Sequence, residues 1–271
     1  METVEEGQNR RKILKLADGG EEDRISNLPD CLILEILSRL HSTQDAIRTG
    51  ALSKRWIHLW TSITTLIFKH SELDDTLTPC RKTPTSRSDF VSFVDKTLTQ
   101  CRPSKLKKFV VSTTYDSRFE SQVNQWVHYA INFNVEELSL SFYYSGELEG
   151  VFPFDQSFFI ISCFTHLTLV ICELNPTRPI SWKNLRNLSL SRLTLDEDLI
   201  KNILSESPQL ETLELILCCG FNRLDITSRS LKNLVFSGYS DPMCFLGEDI
   251  VEINAPNILS LTIQNTILLW M

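Results

Sequence analysis

Eight cysteines, at 31, 80, 101, 163, 172, 218, 219 and 244, and five histidines, at 41, 58, 70, 128 and 166, are the side chains of this sequence best suited to nucleophilic or metal chemistry. No two cysteines stand in C-x-x-C spacing and no H-x(3–5)-H follows them, so a zinc site has no support. Cys163 and His166 approach a thiol–imidazole pair most closely, but three positions apart on a strand they point to opposite faces. Cys218-Cys219 closes a strand and reads as buried filler. None of the 9 glycines forms a G-x-G-x-x-G or G-x-x-x-x-G-K loop, which removes the two common phosphate cradles. No nucleophile, base and orienting group can be assembled. The sequence therefore predicts a protein that is not an enzyme, with no catalytic residues, no metal and no cofactor.

Charge and hydropathy narrow the classes further. Lys and Arg number 27 against 34 Asp and Glu, a formal net charge of −7. An acidic chain without a clustered basic face argues against nucleic acid and anionic membranes as partners. The longest uncharged run, from Gln156 to Cys172, carries several Ser and Thr and one His, and is short of the ~20 apolar residues of a membrane span. It reads as buried core. The first twenty residues are dense in charge and have no apolar signal segment, so the cysteines are expected to be free thiols in a reducing compartment.

Helical spacing begins at Asp23. Pro29 suits a first helical turn, and apolar residues follow at 28, 32, 33, 36, 37 and 40. Ser42 or Thr43 can cap a second helix, with Asp45 in its first turn. Ser53 can cap a third, carrying Trp56, Ile57, Leu59 and Trp60. Three helices in about forty residues are too few to bury a large core, yet they are apolar on more than one face. That surface packs either on a partner or on the rest of the chain.

Asp23-Arg24-Ile25-Ser26, Leu28-Pro29-Asp30, Ile36-Leu37-Ser38, Asp45-Ala46, Leu52-Ser53-Lys54-Arg55-Trp56 and Leu59-Trp60 agree in order and spacing with one known family. The segment resembles the F-box of large plant F-box families, continuing into Leu66-Ile67-Phe68. His41 and Gln44 depart from the usual Pro and Lys, both in the loop before the second helix. The resemblance implies docking onto a Skp-type adaptor and, through it, a cullin–RING ubiquitin ligase. Carried over, the adaptor-binding residues are Leu28, Pro29, Leu32, Ile36, Leu37 and Leu40, with Trp56 and Leu59 closing the helical core and bordering the interface.

The remainder repeats. L-x-x-L-x-L frames centre on Phe109, Leu138, Leu167, Leu188, Leu213, Leu234 and Leu261, with steps of 29, 29, 21, 25, 21 and 27. These fall within the ~20–29-residue period of leucine-rich repeats. Alternation turns the second and third apolar residues of each frame inward, where they stack coil on coil. The expected fold class is α/β: an N-terminal three-helix F-box followed by an irregular leucine-rich-repeat solenoid with a parallel concave sheet. The expected organisation is a flexible tail over 1–22, the F-box over 23–70, a loop over 71–88, the solenoid over 89–265 and a tail over 266–271. Ser88 reads as the cap of the first solenoid helix. The repeat region resembles that of plant F-box proteins of the FBD class, without their C-terminal FBD region. The apolar, uncapped tail suggests a truncated product.

Outward strand positions line the concave face. Glu137, Ser139, Asn187, Ser189, Thr212, Glu214 and Asn233 are the candidate target-binding residues, the two acids being the natural anchors for a basic target. The function this predicts is substrate recognition within a Skp–cullin–F-box ligase, with an unknown protein as substrate, in the nucleus, the cytoplasm or both. The alternative is an interaction protein, or a truncated isoform, that assembles no ligase. A small-molecule receptor is disfavoured, because Arg178, Arg186, Arg192, Arg223 and Arg229 miss the inner strand register.

Overall fold

The computed structural model describes residue 25 and residues 27–70, 86–143, 150–238 and 251–265. The predicted tails 1–22 and 266–271, and most of the predicted loop, lie outside them. Three short helices come first: α1 (Asp30–Ser38), α2 (Thr43–Arg48) and α3 (Lys54–Leu59). Ser42 caps α2 by accepting from Asp45 N at 3.1 Å, as its type and position suggest. The chain then enters β1 (Thr65–Lys69), α4 (Arg87–Gln100), β2 (Lys108–Thr114), α5 (Glu120–Asn132) and β3 (Glu137–Tyr143). The cap of α4 is Ser86, which accepts from Asp89 N at 3.2 Å. This corrects Ser88 and shortens the predicted loop, whose last residues belong to the helix start.

Two short strands, β4 (Phe152–Pro153) and β6 (Cys172–Glu173), pair on the convex side around β5 (His166–Val170). β7 (Asn187–Ser191), α6 (Glu197–Glu206), β8 (Thr212–Ile216), β9 (Arg223–Asp225), β10 (Asn233–Gly238), β11 (Glu252–Asn254) and β12 (Ser260–Asn265) complete the order. Returns are helical at α4, α5 and α6 and extended at β9 and β11, which pair with each other.

The main sheet has eight parallel strands in the order β1-β2-β3-β5-β7-β8-β10-β12. All seven predicted frame centres fall in one register, from Phe109 through Leu138, Leu167, Leu188, Leu213 and Leu234 to Leu261. An eighth member precedes them: Leu66 pairs with Phe109, and Phe68 with Val111. The F-box segment thus supplies the first strand of the solenoid sheet. Phe68 packs edge-on against Phe93 and Phe109, so the helical unit and the repeats share one core.

Where strands leave the sheet, three coils use the same device. Ile171, Arg192 and Leu217, each directly after its strand, have φ of 54°, 57° and 55°. Each donates its N–H to the next strand, at Ser191 O, Ile216 O and Ser237 O. The left-handed kink turns the chain off the sheet without losing that hydrogen bond, at the cost that non-glycine residues bear there.

Candidate functional site

α1 carries two adjacent apolar stripes, because residues four apart share a face. Ile33 and Leu37 form the inner stripe, 0% and 2% exposed, and Leu32 and Ile36 the outer, 50% and 43% exposed. Arg55 of α3 anchors the start of α1: its Nε donates to Asp30 Oδ1 at 2.8 Å and its Nη2 to Leu28 O at 2.6 Å. The outer stripe is therefore held out on a helix that is packed and pinned from behind. Pro29 is exposed and occupies the N-cap position, one residue before the helix. Leu28, Leu40 and Leu59 are half-buried against the core.

One predicted docking residue needs correction: Leu37 is a core side chain, turned away from solvent on the inner stripe of α1. Trp56 is buried on the inner side of α3, where it closes the helical core. Three exposed apolar residues of the same unit were missed, Ile25, Leu52 and Ile57. Leu52 follows a 3-10 turn (Thr49–Ala51) and Ile57 faces outward on α3, so neither falls on the amphipathic stripe of α1. The signal for them was redundancy: apolar residues in excess of what so small a unit can bury.

α2 does something different. Thr43 is buried, and its Oγ1 accepts the N–H of Ile67 at 2.7 Å. β1 is the outermost strand, so this bond closes a backbone group that would otherwise lie open on the sheet edge. The helical unit serves as the cap that a solenoid needs at its end.

The concave face presents in-register rows. The first runs Thr65, Lys108, Glu137, His166, Asn187, Thr212, Asn233 and Ser260, and the second runs Ile67, Val110, Ser139, Thr168, Ser189, Glu214, Val235 and Thr262. The predicted face residues Glu137, Ser139, Asn187, Ser189, Thr212 and Glu214 are half-exposed and Asn233 exposed, all on this side of the sheet. Asn233 Nδ2 donates to Thr212 Oγ1 at 3.2 Å. The two acids differ. Glu137 is paired with Lys108 at 3.1 Å, whereas Glu214 lies between Ser189 and Val235 with no ion pair among the described residues. Glu214 is the acid left to offer its charge.

The two surfaces meet. A cleft of about 380 Å³ is bordered by Glu35, Arg39 and Leu40 of the α1 end, by Ile67 of β1, and by Lys107 and Glu137. A segment bound over the first concave strands would touch α1.

The side chains considered for chemistry are placed without a common centre. Burial pushes the Cys163 thiol up to about 11, the reverse of an activated nucleophile. His166 is exposed, and its Nδ1 lies 3.0 Å from Thr165 Oγ1. Burial likewise raises Cys101 to about 12 and Cys218 to about 11. Among the described residues no group of His, Cys, Asp and Glu has the arrangement of a metal site, and no helix is long and apolar enough to cross a membrane.

Comparison with known proteins covers both the helical unit and the repeats. The F-box domain family matches residues 25–68. A repeat family described as "FBD-associated F-box protein At5g56370, LRR repeats" matches residues 123–270. F-box protein At5g03100 of Arabidopsis thaliana is 35% identical over 223 residues, covering 81% of this chain and 65% of that protein. Putative F-box/LRR-repeat protein At5g02930 is 33% identical over 211 residues, covering 78% of this chain and 40% of that protein. F-box/LRR-repeat protein 25 is 34% identical over 214 residues, covering 78% and 73%. The chain thus spans between 40% and 73% of the length of these three Arabidopsis relatives. An F-box unit that opens an eight-stranded parallel leucine-rich-repeat sheet, matched across both parts, places the chain among the plant F-box/leucine-rich-repeat proteins.

Proposed function

We propose that the protein is a substrate-recognition subunit of a Skp–cullin–F-box ubiquitin ligase, with no chemistry of its own. The observation that carries this reading is the outer stripe of α1. Leu32 and Ile36 stay exposed on a helix whose other stripe is already buried, which is the arrangement a groove-binding helix presents to a partner. The concave sheet, where Glu214 has no ion pair among the described residues, selects the target. Binding both raises the effective concentration of target near the ubiquitin-charged ligase.

A second reading has a specific observation in its favour. The bond from Ile67 N to Thr43 Oγ1 gives the helical unit a purely structural task as end cap, which needs no ligase. Co-purification separates the two. The ligase reading expects the tagged chain to retain a Skp-type adaptor and a cullin. A chain that retains target proteins but no adaptor supports the end-cap reading instead.

A further inference from the structure

The turns that lead into the strands are positive in a chain that is negative overall. Over the eight strands of the main sheet, the five residues before each strand and its first residue carry seven Lys and Arg against three Glu, while the whole chain carries −7. All three acids are already engaged. Glu136 pairs with Lys105, Glu137 with Lys108 at 3.1 Å, and Glu211 is shared by Arg186 at 3.7 Å and Lys232 at 3.6 Å. The positive charge left over is therefore free to meet a partner.

Six of these turn residues form one row. Lys107, Glu136, Thr165, Arg186, Glu211 and Lys232 each stand one position before a strand. The carbonyls of Glu136, Thr165, Arg186 and Glu211 each accept two N–H groups from the next turn, so the backbone under the row is fixed. Lys107, Arg186 and Lys232 are exposed. Lys107 borders the cleft beside the end of α1 and has no ion pair among the described residues. A recess of about 330 Å³ follows it along the same edge, lined by Lys105, Thr165, Asn184 and Arg186 among others. The row thus starts at the helical unit and continues along an indented rim.

The spacing of its cations selects a partner. Neighbouring strands stand about 4.8 Å apart, so Lys107 and Arg186, three strands apart, are separated by about 14 Å, and Arg186 and Lys232, two strands apart, by about 10 Å. An extended chain advances about 3.3 Å per residue, so about four residues and then about three cover these gaps. The long, flexible Lys and Arg stems take up the alternation of its side chains. A nucleic-acid strand fits less well. Its closely spaced phosphates would also face Glu136 and Glu211, and no residue of the row is aromatic for bases to stack on. A polypeptide can place carboxylates over the cations alone.

We propose that this row is the docking surface for an acidic, extended segment of the target protein, with carboxylates about four and about three residues apart. The inference rests on the reading that the solenoid holds a target, and it adds a contact whose charge preference is opposite to that of Glu214. Exposed ion pairs are individually weak, so selectivity comes from matching all three cations at once and from the repulsion that Glu136 and Glu211 exert on acids placed between them.

The test is fluorescence anisotropy of the purified full chain with a labelled peptide of Gly, Ser and Thr that carries three glutamates at those spacings. The proposal expects saturable binding, weakened roughly tenfold by Arg186→Glu/Lys232→Glu and several-fold when the three glutamates are made adjacent. Lys183, exposed in the turn before β7 but outside the row, is the control, and Lys183→Glu should change binding by less than about twofold. These side chains are exposed, so the variants are expected to fold, which an unchanged circular dichroism spectrum verifies. No binding of the spaced peptide would overturn the proposal. So would equal binding of the peptide with adjacent glutamates, an equal loss in Lys183→Glu, or tighter binding of an oligothymidylate of matched length. Retention of a Skp-type adaptor and of target proteins is measured on the same preparation. A chain that retains both and ignores the peptide defeats this inference alone, whereas one that binds the peptide without an adaptor counts against the ligase reading alone.

Discussion

Gly220 shows how a single position can dictate its residue. Its φ is +95°, and a Cβ there would stand 2.5 Å from Leu195 O, a backbone atom fixed by Leu195 N donating to Cys219 O. Gly220→Ala is expected to cost about 2–3 kcal/mol, read as a lowered urea midpoint, because both the backbone and the contact oppose it. Asp116 is a second such position. Hydrogen bonds from the Arg118 side chain, with the Arg118 backbone N–H and Arg87 adding to them, hold its carboxyl below the ordinary 3.8. A depressed carboxylate contributes its stability fully above the unfolded-state value and loses it as pH falls through the folded-state value. Asp116→Asn should therefore flatten the acid limb of the stability–pH curve below about pH 4 and leave its shape at neutral pH unchanged; an acid limb as steep as before would refute the assignment. The proposed docking residues were only partly legible at this scale. Periodicity locates Leu32, Ile36 and Leu37 on one helix. It does not say which of two neighbouring stripes meets the core, and that choice puts Leu37 inside and leaves Leu32 out. Glu137 and Glu214 likewise look equivalent until strand register brings Lys108 beside the first.

At the scale of elements, the repeat frame was the most legible feature, because an inward leucine recurs at the same strand position whatever the return segment does. The first strand escaped it. Leu66 lies 43 positions before Phe109, outside the spacing of the other frames, since the segment before β2 holds all of α4 and residues 71–85. The ends of helices were legible in type rather than place, as Ser86 in the role expected of Ser88 shows. The end of α5 was not anticipated. Asn134 has φ of 51°, Val135 N donates to Ala130 O at 3.1 Å and Asn134 N to Ile131 O at 2.9 Å, which is a Schellman termination with Asn in the left-handed position. Asn134→Ala should cost about 1 kcal/mol and Asn134→Gly nothing or less, by thermal unfolding; equal effects would mean that backbone conformation is not what selects Asn there. In the core layer, Leu213→Ala should cost about 2–5 kcal/mol, since Leu213 stacks between Leu188 and Leu234 and leaves a cavity when shortened.

At the scale of the molecule, the F-box forms the end of the sheet and, in the proposed function, also the docking unit. Thr43→Val keeps the shape but leaves the half-buried Ile67 N–H without this acceptor, and should cost about 1 kcal/mol. Because the core is continuous, that loss should appear in the unfolding of the whole solenoid; unfolding of the helices alone, with the repeats unchanged, would separate the two parts. On the opposite face, Glu214→Lys is expected to change the set of captured proteins and leave adaptor binding intact. An unchanged set would move target recognition to another surface, the cleft beside Glu137 first. The most direct test of the account is the affinity of the purified chain for a Skp-type adaptor by calorimetry, compared with the Leu32→Ala/Ile36→Ala double variant. Two anchors at the centre of a desolvated interface predict a loss of about 2 kcal/mol or more, roughly 30-fold, with unchanged thermal stability. Equal affinity in a folded double variant would contradict it.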